Sequence, residues 1–155
     1  MSMKATIVCG FPGVGKTTAE AENRFVEDIE SHCFQFEYNP ETGPTAIPVQ
    51  NWVGKYVDFI EKRADEFAGC LLVSCHKEVR EELRRRGIPF IDVVPNYYPE
   101  TKNAYMIRYL RRGSGTLFLK KINDNWHDWL NEIDSEPEPK IKLGPNDYIN
   151  EILPR

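Results

Sequence analysis

The sequence predicts an α/β fold: one parallel sheet of about five strands with helices on both faces, in three layers. Two observations carry that expectation. Short apolar runs alternate along the chain with amphipathic helical segments, the pattern of parallel strands joined by right-handed helical crossovers. The first apolar run, Ala5-Thr6-Ile7-Val8-Cys9, also passes straight into a glycine-rich turn and then a helix-forming segment. With 155 residues and 41% hydrophobic content, the chain is long enough to form a single domain, 1–155, around one core.

The elements follow in order. After the turn, Thr18 to Asn23 reads as a short helix, and Arg24-Phe25-Val26 as a second strand ending at Glu27 to Ser31. Pro40, Gly43, Pro44 and Pro48 make Asn39 to Pro48 an irregular excursion. Trp52, Val53, Tyr56, Phe59, Ile60 and Ala64 recur with helical period across Val49 to Phe67, a stripe expected to pack on the sheet. Gly69 to Cys75 is a continuous apolar run, as a central parallel strand requires. A helix from His76 to Arg86 closes at Gly87, and Pro89 to Val94 forms the next strand. Two helices, Glu100 to Arg112 and Thr116 to Ile133, precede the acidic linker 134–139. A last strand, Lys140 to Leu143, and a turn or short helix from Pro145 to Leu153 complete the chain.

The turn Gly10-Phe11-Pro12-Gly13-Val14-Gly15-Lys16-Thr17 fits G-x-x-x-x-G-K-[ST], the phosphate-binding loop, between the strand and helix that the motif requires. Glycines let the backbone curl so that successive N–H groups converge on a phosphate. Lysine supplies a point charge for the β/γ-phosphates, and the threonine hydroxyl is a hard ligand for Mg²⁺. The helix N-terminus adds its positive dipole end. The expected nucleotide-binding set is Gly10, Pro12, Gly13, Val14, Gly15, Lys16, Thr17 and Thr18.

Further candidates sit just beyond other predicted strands, where ligands bind in such sheets. Asp28 and Glu30, two apart, face one side of a strand end. Asp28 is a candidate Mg²⁺ ligand with Thr17, and either carboxylate is a candidate base for an incoming hydroxyl; a solvated acidic turn is the plainer alternative. Ser31 either caps the next segment or touches the acceptor. His76 and Arg80, four apart, share a helix face and are candidate acceptor ligands, with helix capping as the alternative for His76. Arg108, Arg111 and Arg112 fall within roughly 100° of helical arc and lead into Gly113-Ser114-Gly115. They can close as a lid over transferring phosphate, or form a basic helix end matched to the dipole. Tyr105 and Tyr109 on the same helix are expected to pack, as are Trp126, Trp129 and their apolar neighbours. The tail 142–147 falls where a final strand can hand a loop to an adenine ring.

Composition narrows the classes. A net charge of −4 gives no global basic field for nucleic acid or anionic membrane. The Arg84-Arg85-Arg86 run is offset by Glu81 and Glu82 at helical spacing, a self-paired solvated face. No apolar run approaches membrane-spanning length, no signal-peptide core is present, and Cys9, Cys33, Cys70 and Cys75 form no metal-binding spacing. A reduced, cytoplasmic setting is therefore expected.

Three places carry a family resemblance: the loop Gly10 to Thr17, the acidic Asp28-Ile29-Glu30, and Arg108-x-x-Arg111-Arg112. Together they resemble small P-loop kinases of the nucleoside monophosphate kinase and shikimate/gluconate kinase group. The patterns Asp28-x-Glu30-Ser31, Ser74-x-His76-Lys77-Glu78-Val79-Arg80 and Arg108-Tyr109-x-x-Arg112-Gly113 are similar to small prophage- and gut-bacterium-type proteins described only as nucleotide kinases or ATPases. The chain lacks the D-G-[FY]-P-R segment of adenylate kinases and the triple glycine of shikimate kinases. The resemblance implies a P-loop NTPase fold with a lid over about 99–115 and an acceptor-binding insert over about 39–67. It implies transfer of the γ-phosphoryl of Mg-ATP to a small acceptor, with a nucleoside or deoxynucleoside monophosphate the first expectation. Lys16, Asp28, Glu30, Arg108, Arg111 and Arg112 would be the catalytic set, and Ser31, His76 and Arg80 the acceptor set. A polynucleotide 5′-kinase and a non-catalytic ATP sensor remain the alternatives.

Overall fold

The computed structural model describes residues 3–153. The elements run β1 (Thr6–Gly10), α1 (Lys16–Glu22), β2 (Val26–Ile29), α2 (His32–Gln35), β3 (Phe36–Asn39), β4 (Gly43–Pro48), α3 (Trp52–Glu66), β5 (Cys70–Ser74), α4 (Lys77–Arg85), β6 (Ile91–Pro95), α5 (Pro99–Arg111), α6 (Thr116–Ser135) and β7 (Lys140–Leu143). A 3₁₀ turn, Ile149–Glu151, follows. Five strands form one parallel sheet in the order β2-β5-β1-β6-β7.

Alternation within the central strands sends side chains to two cores. Val8, Cys70 and Leu72 face one layer, built from Tyr105 and Tyr109 of α5 and Ile122, Trp126 and Leu130 of α6. Ile7, Cys9, Leu71 and Val73 face the other, built from Tyr56, Val57 and Ile60 of α3 and Val79 and Leu83 of α4. The three-layer α/β class expected from the sequence is the fold observed. Burying a strand on both faces demands the near-continuous apolar runs read in β1 and β5. No helix among the described residues is long and apolar enough to cross a membrane.

Two expectations need correction. The excursion 39–48 is an antiparallel hairpin, β3 with β4, apart from the main sheet. Its prolines are tolerated because neither strand has a second neighbour to which an N–H must donate. The segment 39–67 holds most of this hairpin and α3, the crossover helix between β2 and β5, with Tyr56, Val57, Ile60 and Ala64 fully buried. The arginine run on α4 is only partly self-paired. Arg85 and Arg86 meet Glu82, but Arg86 also reaches Asp58 and Glu61, and Arg84 reaches Glu136 and Glu138.

Candidate phosphate-binding cleft

β1 has neighbours on both sides, β5 and β6, and the loop at its carboxyl end opens into a cleft of about 830 Å³. In open α/β sheets this is where ligands bind. Gly10, Pro12, Gly13, Gly15, Lys16, Thr17 and Thr18 all line it. Gly13 and Gly15 have φ of +92° and +96°, where a side chain would be strained. A Cβ on Gly13 would also stand 2.9 Å from the Tyr109 ring, so α5 packs directly on the loop. Val14 lies outside the cleft: its side chain is fully buried in the core and its N–H donates to the Phe11 carbonyl. That withdraws Val14 from the expected nucleotide-contacting set.

Lys16 opens α1, and its Nζ donates to the Gly10 carbonyl at 2.8 Å. Burial pulls its pKa below the usual lysine value. An ammonium held there at the price of desolvation is ready to exchange that carbonyl for an anion. Beside it, the Thr17 hydroxyl approaches Asp28 Oδ2 at 3.5 Å. Asp28 Oδ1 is buried and has no hydrogen-bond partner among the described residues, and desolvation raises this carboxyl to about 6. A hydroxyl and a half-satisfied carboxylate form the hard oxygen donor set that suits Mg²⁺, so this pair fits the ion the phosphate loop implies.

The three arginines differ. Arg108 borders the cleft, but its guanidinium donates to the carbonyls of Gly13, Pro145 and Asp147. It is also sandwiched between the rings of Tyr105 and Tyr148. It ties the phosphate loop to the loop after β7, which corrects its expected place among lid arginines that close on transferred phosphate. Arg111 and Arg112 are exposed at the end of α5 and line the cleft. The segment 99–115 is anchored by the fully buried Tyr105 and Tyr109, and Arg112 donates to the Ser114 hydroxyl and lies over the Tyr109 and Phe118 rings.

On the other side, Glu30, Ser31 and His76 line the cleft as expected. Glu30 faces His32 at 3.2 Å. His76 occupies the N-cap of α4 without capping it; its ring bonds the Ser74 hydroxyl and meets Trp52 edge-on. Arg80 is the clear correction. It is 3% exposed, its Nε and Nη2 donate to Glu136 at 2.9 and 3.0 Å, Nη2 also reaches Glu132, and Nη1 donates to the Cys75 carbonyl. It is a buried strut between α4 and the end of α6, with four of its five N–H groups engaged there.

Reading the sequence missed Gln35, Ser74 and Tyr148 as cleft residues. Ser74 ends a strand, a signal that was available. Gln35 lies on a single helical turn too short to give periodicity, and Tyr148 is placed only by the tail's return to the loop, where Ile149 N–H donates to the Val14 carbonyl at 2.8 Å.

The sequence matches no family model and no curated protein. Among solved structures it is similar to the tunicamycin resistance protein of Deinococcus radiodurans, with a TM-score of 0.58 and 18% identity over 97% of this chain and 91% of that one. The likeness is one of fold. A gluconokinase from Sinorhizobium meliloti 1021 (TM-score 0.46, 18% identity, 98% and 89% covered) and an uncharacterized protein from Eubacterium ventriosum (TM-score 0.49, 14% identity, 94% and 92% covered) are weaker likenesses and add nothing to the fold assignment.

Proposed function

We propose that this chain is an ATP-dependent phosphotransferase that moves the γ-phosphoryl group of Mg-ATP to a small acceptor. The observation that carries the reading is convergence. A phosphate loop with a desolvated lysine, a half-satisfied carboxylate beside the loop threonine, and two exposed arginines line one cleft at the carboxyl ends of the strands.

In this reading the loop amides and Lys16 hold the β- and γ-phosphates, and Thr17 and Asp28 hold Mg²⁺. Mg-ATP, when bound, supplies the transferable phosphoryl group and neutralises its charge. Arg111 and Arg112 close on that group, while Arg108 keeps the loop in shape. Glu30 orients the acceptor and takes its proton. The expectation of a nucleoside monophosphate came from the family resemblance; Arg80, one of its candidate acceptor ligands, is bonded to Glu132, Glu136 and the Cys75 carbonyl.

The test is Mg-ATP binding by calorimetry, together with ADP release against an acceptor panel, each compared with Lys16→Ala. Losing one charge-assisted contact to phosphate should weaken Mg-ATP binding about 10- to 100-fold. Equal binding by the wild type and Lys16→Ala would overturn the reading.

A further inference from the structure

We propose that the acceptor is an uncharged, hydroxyl-bearing molecule, with no phosphate or carboxylate of its own. The proposal rests on the phosphotransferase reading above and specifies its substrate class.

Four lysine or arginine side chains line the cleft, Lys16, Arg108, Arg111 and Arg112. All come from the phosphate loop or from α5, which packs on that loop. The opposite wall is lined by Glu30, Ser31, His32, Gln35, Ser74 and His76 and carries no lysine or arginine. Arg80 stands behind this wall, 3% exposed, with its guanidinium bonded to Glu132, Glu136 and the Cys75 carbonyl.

Four of these side chains form a continuous uncharged belt. Gln35 Nε2 donates to Ser31 Oγ at 2.9 Å and lies 3.5 Å from His76 Nε2, while His76 Nδ1 shares a hydrogen bond with Ser74 Oγ. An Nε2 that accepts from Gln35 leaves the proton on Nδ1, so the ring is neutral in this arrangement. Desolvation lowers the His76 pKa in the same sense. Among the described residues, the Ser31 and Ser74 hydroxyl protons and Gln35 Oε1 remain unpaired, so the belt offers both donors and an acceptor. An acceptor's hydroxyl group, which also donates and accepts, matches that belt. An oxyanion needs donors only, and here it would also face the carboxylates of Asp28 and Glu30.

The chemistry balances with an uncharged alcohol. Its oxygen forms a bond to the γ-phosphorus as the bond between γ-phosphorus and the β,γ-bridging oxygen breaks. ADP leaves with that electron pair, and the hydroxyl proton passes to the Glu30 carboxylate, which is half exposed and returns it to water.

Matched probes test this: adenosine against AMP, uridine against UMP, and glucose against gluconate. ADP release is measured with each, and binding of AMP, UMP, gluconate and inorganic phosphate is measured by calorimetry on protein already loaded with Mg²⁺ and a non-hydrolysable ATP analogue. The loaded wild type should show no saturable binding of any of these anions. Gln35→Arg should acquire phosphate binding, because it places a cation in the belt. ADP release from an uncharged probe and not from its charged partner would support the proposal further. Turnover of AMP, UMP or gluconate, or saturable anion binding by the loaded wild type, overturns it and leaves the phosphotransferase reading intact. Failure of the ATP analogue to bind in a Lys16-dependent way would instead sink that underlying reading.

Discussion

The Tyr109 hydroxyl donates to the Pro12 carbonyl at 2.6 Å, and its neighbour Arg108 donates to the next loop carbonyl, Gly13, at 2.7 Å. Two successive residues of α5 thus pin two successive carbonyls of the phosphate loop. Peptide planarity then turns the Gly13 N–H to the opposite side from Tyr109. Tyr109→Phe deletes only the hydroxyl, leaving the Pro12 carbonyl without its donor. Stability should fall by about 1–3 kcal/mol, and Mg-ATP binding should weaken several-fold because the loop is less organised. Urea unfolding and calorimetry read the two effects; unchanged nucleotide affinity would show that the loop holds its shape without α5.

Arg80 gives the sharpest contrast with an acceptor ligand. Its buried guanidinium bridges Glu136 and Glu132, so removing it leaves Glu136 with Arg84 and Glu132 with Lys77 as their remaining partners. Arg80→Met should destabilise the fold by about 1–3 kcal/mol. Acceptor KM in the fraction that remains folded should not move. A raised KM with normal stability would return Arg80 to the cleft.

Asp28 sets an acid limit. Burial raises its pKa to about 6, and in the proposed metal site Mg²⁺ would need the carboxylate, so protons and metal would compete for it. Mg²⁺ affinity should fall up to about tenfold for each pH unit below about 6 and level off above 7. Asp28→Asn should flatten this dependence as well as weaken binding. A wild-type Mg²⁺ titration that is flat from pH 5 to 7.5 would remove Asp28 from the metal site.

Much of this site was legible in the sequence because its signals are local. A glycine turn between an apolar run and a helix identifies the phosphate loop, and continuous apolar runs identify β1 and β5, since strands covered on both faces have no polar side to show. What spacing alone does not show is who holds a side chain from far along the chain. His76 and Arg80 do lie near each other on α4, but Glu136 takes Arg80 from 56 residues away. The three arginines near the end of α5 share an arc, yet the return of the tail through Pro145 and Asp147 separates Arg108 from the other two. The hairpin was read as irregular because prolines usually break strands, and only its isolation from the main sheet makes Pro44 and Pro48 tolerable.

Asp92 on β6 leads to a prediction about stability and pH. It is completely buried, both carboxylate oxygens lack hydrogen-bond partners among the described residues, and oxygens of Glu136 and Glu138 lie within 4.8 Å of its own. Desolvation is the main cause that pushes its pKa to about 7, with Arg80 opposing and the two glutamates adding to the rise. In the unfolded chain the same group titrates near about 3.9. Between those values the folded state holds a proton that the unfolded state has lost, so stability falls as pH rises from about 4 to 7. The full difference amounts to about 2–4 kcal/mol after allowance for relaxation around the charge. Asp92→Asn keeps the shape and removes the titration. Its unfolding midpoint in urea should therefore gain on the wild type as pH goes from 5 to 8, with the two proteins closest at the acid end. Parallel midpoints across that range would mean that Arg80 and Lys140 already stabilise a charged Asp92 in the folded protein.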